Sequence, residues 1–335
     1  MRDFIVNPDT WDITDDYAIT NGDCIPCMRD GIKPESVDLS VFSPPFSSLY
    51  AYTDSDADMG NSRESDDEFL LHFDFFGRAI YPIIKPGRNV IVHLQQVSRF
   101  KVHHGYMGLF DIRGATTRIM ERVGFHFYGE VTVDKCPQAQ AIRTKSACLT
   151  FTQKERDAAV SRPALADYLL IFKKPGKNSA PIKNDVSREE WIEWARPLWR
   201  EDPTVTPAQL EGLEEMIDAA RAAGMTAPFW RGIKETDTLN TRSAKSPNDE
   251  RHVCPLQLPL IERCVRMWSN PGEVVLSPFM GVGSEGVSSI KLNRRFIGTE
   301  LNPRYYGVAR KNIRKELAAR DAQTNLFGSV FGGAS

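Results

Sequence analysis

Two short stretches of the 335-residue chain combine residue types that could hold a ligand and act on it. The run Leu276-Ser277-Pro278-Phe279-Met280-Gly281-Val282-Gly283-Ser284-Glu285-Gly286 puts closely spaced glycines between an apolar segment and a helical pattern that begins near Gly286. Glycines at such a strand-to-helix turn let a ligand approach the backbone, and they leave helix N-terminal N–H groups free to receive it. Nineteen residues beyond Gly281, Glu300 closes the next apolar segment, where an acid can accept hydrogen bonds from ribose hydroxyls. A Gly-rich turn alone fits plain structure equally well. Together with the acid at that distance it suggests an adenosine-containing cofactor, with structural glycines as the alternative.

The second stretch is Ser43-Pro44-Pro45-Phe46, directly after the apolar run Val37 to Phe42. Two prolines hold the backbone extended, which can aim the Ser43 hydroxyl and the Pro44 carbonyl as acceptors beside the flat face of Phe46. Two acceptors and a ring suit a planar heterocycle that bears an exocyclic amine. A Pro-Pro turn after a strand is also common as plain structure, so its weight comes from the other motif.

Both motifs need a sheet to position them. Val37 to Phe42 and Asn89 to Leu94, the latter launched by the Lys85-Pro86-Gly87 turn, are expected to be buried parallel strands. Between them Phe69, Leu70, Phe73, Phe76 and Ile80 recur at helical spacing over Asp66 to Tyr81. Strand, helix and strand make one crossover unit. Glu273 to Leu276, the helix near Gly286 and Arg295 to Glu300 make a second, and Phe125 to Asp134 and Asp167 to Lys174 are two further strands. Residues 178 to about 250 differ, holding four of the six tryptophans (191, 194, 199 and 230). They also carry a helix pattern with Thr206 as N-cap, Pro207 at its first position and Gly224 at its end. An inserted helical subdomain is expected there, and only the tail from Gly328 to Ser335 is low in complexity.

Composition narrows the class. With 41% hydrophobic and 26% charged residues and a net charge of −2, the chain has the proportions of a globular protein, which excludes disordered, collagen-like and disulfide-scaffold classes. Its apolar runs fall short of the roughly 20 residues of a membrane span, and the start, rich in aspartate, lacks the pattern of a secretory signal, so a cytoplasmic protein is expected. Six sparse cysteines suit a reducing compartment; Cys24 and Cys27 form a CxxC without a recognisable second ligand pair, so no metal is expected. The charge is uneven: residues 134–177 hold nine Lys or Arg against four acids, whereas residues 54–74 hold eight acids against Arg63. A local basic surface is what phosphate contacts require, although charge alone fits a solvated face as well.

Taken together, Asn21-Gly22-Asp23-Cys24, Ser43-Pro44-Pro45-Phe46, Lys85-Pro86-Gly87, then His252-Val253-Cys254-Pro255-Leu256-Gln257 and Pro278 to Gly283, resemble the β class of bacterial and phage DNA amino methyltransferases. The acceptor motif precedes the cofactor motif by over two hundred residues, an order opposite to that of the protein glutamine methyltransferases. The likeness covers Asn21 to Lys174 and Asp249 to Ile313. It implies an α/β, doubly wound, Rossmann-like sheet of seven strands whose last strand is antiparallel, with residues 1–177 and 249–335 forming the catalytic domain and 178–248 an inserted helical target-recognition region. It implies S-adenosylmethionine as cofactor, with Phe279, Gly281 and Gly283 at the methionine end, Glu300 at the ribose, Asp23 near the adenine, and His252, Pro255 and Gln257 beside the same pocket. Ser43, Pro44, Pro45 and Phe46 would hold a base flipped out of duplex DNA for methylation on its exocyclic amine.

The cofactor motif of that class commonly begins Asp-Pro-Phe, and Ser277 stands here instead, which puts a water-mediated contact to the cofactor's amino group in doubt. Ser-Pro-Pro is common among N4-cytosine enzymes, whereas the longer string Phe42 to Tyr50, with Arg143-Thr144-Lys145 and Asp249 to His252, is similar to adenine-specific phage-type and orphan enzymes. Adenine is the expected target and cytosine the alternative; an RNA methyltransferase or a non-catalytic DNA-binding protein on the same fold are the rival readings. Arg143, Thr144, Lys145, Lys154 and Arg162 are expected to contact DNA phosphates, and Gln138 or Gln140 is a candidate to fill the gap left by a flipped base. A homodimer and a separate restriction nuclease are left open as partners.

Overall fold

The computed structural model describes residues 1–46, 53–61, 66–99, 101, 105–135, 137, 140–141, 147–183, 185–202, 233–234, 237–240 and 255–331. In chain order its strands are β1 (Asp12–Ile13), β2 (Tyr17–Asn21), β3 (Val37–Phe42), β4 (Ile84–Gln95), β5 (Val97–Arg99), β6 (Gly108–Phe110), β7 (His126–Asp134), β8 (Asp167–Lys173), β9 (Leu198–Asp202), β10 (Ile233–Lys234), β11 (Val274–Ser277) and β12 (Arg295–Glu300). Its helices are α1 (Cys24–Gly31), α2 (Asp66–Ile83), α3 (Ile112–Val123), α4 (Phe151–Arg156), α5 (Arg188–Trp194), α6 (Leu258–Trp268), α7 (Ser284–Lys291) and α8 (Pro303–Phe331). Among the described residues no helix is long and apolar enough to cross a membrane.

Ten strands form one mixed sheet in the order β1-β2-β12-β11-β3-β4-β8-β7-β9-β10. The seven from β2 to β7 are the doubly wound core, in which β8 runs antiparallel to both β4 and β7. The sheet is therefore wider than the seven strands expected, because β1 folds back antiparallel on β2 while β9 and β10 extend the opposite edge. Alternation sends side chains to two faces: Val274 and Leu276 pack with the Phe69, Phe73, Phe76 and Ile80 stripe of α2, whereas Val275 faces Leu260, Ile261 and Cys264 of α6. A third cluster seats α7 and α8 on β2 and β12 through Ile19, Phe296, Ile290 and Ile313. Even the polar residues of β3 are buried and satisfied: Asp38 pairs with Lys85 at 2.7 Å and accepts from Val274 N at 3.0 Å, and Ser40 donates to Leu276 O.

Two sequence expectations need correction. Lys85-Pro86-Gly87 is not a turn ahead of a strand but a kink inside β4, where Gly87 takes φ +75° and its N–H reaches Lys174 O. The described part of the inserted region is not only helical. After α5, β9 pairs parallel with β7, and Trp199 is buried beneath the Arg263 guanidinium with its indole N–H on Trp194 O. The segment is tied down further by Arg266 on Glu190 and by the buried Arg294 on Asp185. The helix expected over residues 206–224 lies outside the described residues; of the low-complexity tail from Gly328 to Ser335, Gly328 to Phe331 ends α8 and residues 332–335 lie outside them.

Candidate functional site

The C-terminal ends of β2, β3, β4, β11 and β12 open on one cavity of about 930 Å3. That is where ligands bind in open α/β sheets. Gly22, Asp23, Ser43, Pro44, Pro45, Phe46, Pro255, Gln257, Phe279, Gly281 and Glu300 all line it, so residues separated by more than two hundred positions meet in one cavity.

At one end, Glu300 is held at the tip of β12 by two backbone donors: Gly281 N–H on Oε2 and Asn302 N–H on Oε1, each at 2.8 Å. A carboxylate has about four acceptor sites, so these two donors leave it capacity for a ligand. Burial pushes its pKa up to about 7, against the lowering effect of those N–H groups and with Asp58 adding to the rise. Burial also lifts Glu285, on the first turn of α7 and in the same wall, to about 8. Gly281 has φ +52°, and a Cβ built on it would meet nothing within 4 Å, so the backbone there faces open space. The Phe279 ring is braced against Phe42 and Phe76 at centroid distances of 5.7 and 5.2 Å. Asp23 caps α1 by accepting from Ile25 N–H, which aims the start of that helix at the cavity.

Gly283 departs from its expected role. It does not line the cavity; its φ of +91° and the 3.1 Å separation between a built Cβ and Ala309 show that it lets α8 pack on the start of α7. Ser277 is fully buried and does not line the cavity either. His252 lies outside the described residues.

At the other end, Ser43 Oγ lies 3.0 Å from His93 Nδ1, and the Phe46 ring sits 6.1 Å from the His93 ring, tilted by 44°. His93 Nε2 is 3.1 Å from Asp167 Oδ2, an ion-pair distance without full hydrogen-bond alignment. Lys135 Nζ reaches the same Asp167 oxygen at 2.8 Å, and Gln95 donates to Oδ1 at 2.9 Å. Burial alone would raise the Asp167 carboxyl, but His93 and then Lys135 outweigh it and bring it down to about 2. Sequence reasoning missed this cluster, counting Lys135 and Asp167 only as charges of the basic segment. The one available signal was a histidine inside the otherwise apolar run Asn89 to Leu94.

The rim carries part of the expected DNA-contacting set. Arg162 lines the cavity mouth and donates to Ser98 Oγ at 3.3 Å and to Pro163 O at 3.1 Å. Lys154 is exposed on α4 and paired with Glu155 at 2.9 Å. Gln140 does not suit the role of filling a duplex gap: it is buried, accepts from Leu165 N–H at 2.8 Å and donates to Leu165 O at 2.9 Å. Arg143, Thr144, Lys145 and Gln138 lie outside the described residues.

Comparison with known proteins adds a family. The family model described as DNA methylase matches residues 37–311. Type II methyltransferase M.BglI of Bacillus subtilis is 23% identical over 322 residues, covering 88% of this chain and 85% of that protein. The orphan methyltransferase M.BamHII of Bacillus amyloliquefaciens is 21% identical over 86% of this chain and 92% of its own length. Among solved structures, TTHA0409 of Thermus thermophilus, assigned as a DNA modification methylase and crystallised with S-adenosyl-L-methionine, aligns with TM-score 0.61 at 20% identity over 89% of this chain and 93% of that one. The cytosine-N4-specific PvuII DNA methyltransferase aligns with TM-score 0.54 at 15% identity over 89% of this chain and 86% of that one. At those identities the two structures establish the shared fold.

Proposed function

The chain belongs to the DNA methylase family, and from that premise we propose that it transfers a methyl group from S-adenosylmethionine to the exocyclic amine of a base in double-stranded DNA. The observation that carries the reading is that Glu300 with Gly281 and Ser43-Pro44-Pro45-Phe46 open on one cavity. The residues present fit the cofactor. Glu300 keeps acceptor capacity for ribose hydroxyls, Gly281 leaves room beside the backbone, and Phe279 with Pro255, Gln257 and Asp23 completes the enclosure. When bound, S-adenosylmethionine supplies an electrophilic methyl carbon whose bond to sulfur breaks as the amine nitrogen attacks.

The chain's own residues supply position. A target amine lies inside the base stack, so the nucleotide must be flipped out at a cost of a few kcal/mol. Phe46 offers the extruded ring a stacking face, and Ser43 Oγ and the Pro44 carbonyl accept its two N–H groups. Accepting both protons draws the nitrogen's lone pair out of the ring, and holding it in line with the methyl group makes the reaction effectively unimolecular. Arg162 on the described rim, with Arg143, Thr144, Lys145 and Lys154, is assigned to the phosphates, and residues 178–248 to target recognition. A second copy of the chain and a separately encoded nuclease are further candidate partners.

For the target, N6 of adenine is the first assignment, on the likeness of the Phe42 to Tyr50 string to adenine-specific enzymes. N4 of cytosine is the second, favoured by Ser43 standing where many adenine enzymes carry Asp. Nucleoside mass spectrometry of DNA from a methylation-free host expressing the protein tests both levels. N6-methyladenine supports the first assignment, N4-methylcytosine replaces it with the second, and neither mark overturns the reading.

A further inference from the structure

The position that would accept the amine protons holds a hydroxyl, and a hydroxyl is an ambiguous partner for an amine. Its oxygen can accept, but its own hydrogen can also turn toward the substrate and oppose the incoming N–H. A carboxylate has no such second orientation. The neighbours of Ser43 remove the ambiguity. His93 Nδ1 is 3.0 Å from Ser43 Oγ, and Asp167 sits at Nε2 on the far side of the same ring. A carboxylate at Nε2 favours the tautomer that carries its proton there, which leaves Nδ1 as a lone pair facing the hydroxyl.

Resting on the methyl-transfer reading above, we propose that His93 is a positioning residue that turns the Ser43 hydroxyl into a fixed acceptor and receives, through it, the proton the methylated amine must lose. With Nδ1 taking the Ser43 hydrogen, both Oγ lone pairs face the base. Once the nitrogen carries its new methyl group it is cationic. It gives one proton to Ser43 Oγ while the Ser43 proton passes to Nδ1, and the imidazolium then releases that proton to water. Asp167 lies beside the imidazolium as it forms, and Lys135, at 2.8 Å, together with the Gln95 amide, holds the carboxylate ionised and in place. Three neighbouring strands deliver these groups: His93 and Gln95 from β4, Asp167 from the start of β8 and Lys135 from just beyond β7. Among the described residues, Asp167 and Lys135 are the charged groups that face the imidazole from the strands beside it.

The sign of the pH dependence follows. Protonation of His93 places an N–H on Nδ1, reverses the hydrogen bond and turns the Ser43 hydrogen toward the base. Single-turnover methyl transfer in the full chain should therefore rise with pH along an acid limb to a plateau. In His93→Asn the amide still reaches the hydroxyl but cannot take up a proton, so the limb should vanish and the plateau should fall by about 10²-fold, the lower end for general acid–base assistance. Affinities for S-adenosylmethionine and duplex DNA should stay within about threefold. In Asp167→Asn, the carboxylate that faces Nε2 and favours the proton there is lost, so the plateau should fall as well. An unchanged profile and a rate within threefold of wild type in His93→Asn overturn the relay. If His93→Asn does not fold, Ser43→Ala decides by the same readout: a flat profile supports the relay and a retained acid limb overturns it. Wild-type protein that places no methyl group on DNA sinks the parent reading instead, which keeps the two failures distinct.

Discussion

If Glu300 receives the cofactor's ribose as proposed, cofactor binding should depend on pH in a way that can be worked out from its surroundings. Its carboxyl is buried, holds two backbone N–H groups and has its pKa pushed up to about 7. The ionised form offers acceptors to ribose hydroxyls and attracts a cationic ligand, so binding should favour it. About one such group in ten is ionised at pH 6 and about nine in ten at pH 8, so affinity should weaken by about tenfold from pH 8 to pH 6. Glu300→Gln replaces one acceptor oxygen with an amide that faces an existing N–H donor, and it removes the charge. Loss of a charge-assisted hydrogen bond of about 2 kcal/mol predicts affinity about thirtyfold weaker at pH 8. The readout is calorimetric titration with S-adenosylmethionine at both pH values. The difference between the two proteins matters, because the ligand's amino group titrates alike in both and Glu285, raised to about 8, remains in both. The ligand-free fold should respond in the opposite sense. The folded chain keeps a proton at Glu300 that the unfolded chain has released, so that contribution to stability is present at low pH and lost as pH rises through about 7. A Glu300→Gln protein that keeps the full tenfold change, or a wild type with equal affinity at pH 6 and pH 8, refutes the reasoning.

The two glycines of the turn between β11 and α7 should fail differently. Gly281→Leu sends a side chain into open cavity, with about 1 to 2 kcal/mol of left-handed strain, so the protein should fold yet show no thermal shift with S-adenosylmethionine. Gly283→Ala drives a Cβ toward Ala309 at 3.1 Å and strains φ +91°, so the melting temperature itself should fall, by about 5 °C in a differential scan. Phe46→Ala should leave cofactor affinity within about threefold while kcat/KM for duplex DNA drops about 5- to 150-fold, the value of about 1 to 3 kcal/mol of base stacking. Arg162→Ala should weaken binding to all duplexes alike and reduce the slope of log affinity against log salt by about one, whereas Lys154→Ala, with Glu155 at 2.9 Å already offsetting its charge, should reduce it less.

What could be read from the amino acids depended on how local each signal was. Strands β3 and β12 were legible to the residue because each is a short apolar run bounded by turn formers. Strand β4 starts five residues before its apolar run, since Gly87 lets the chain pass Pro86 by a kink and continue pairing. Strand β9 was missed because Leu198 to Asp202 has no alternating pattern and exists through its pairing with β7 and the burial of Trp199. The same contrast holds in the site. Ser43 to Phe46 and Phe279 to Gly281 are each contiguous and gained weight from one another, whereas the hydrogen bond from Gly281 N–H to Glu300, an acid singled out for its distance from that glycine, emerges only in the folded chain. His93, Lys135 and Asp167 share no motif. Only the order β4-β8-β7 and its register bring them together.

That sheet order also governs how the molecule can be made. Strands β2 and β3 are separated by only fifteen residues of chain, yet β12 and β11, from the far end of the sequence, lie between them. During synthesis the first half of the chain emerges with two strand edges that have no partner, and they stay open until residue 300 has left the ribosome. Such edges are the places where chains associate wrongly, and contacts this distant in sequence form slowly. Nascent chains stalled before β11 should therefore bind chaperones and resist native-like protease protection, whereas chains stalled well past β12 should close abruptly. The slot between β2 and β3 sets the order of events: the loop Ser43 to Phe46 is translated first, but the opposite wall of its cavity, from β11 and β12, is the last part of the sheet to arrive.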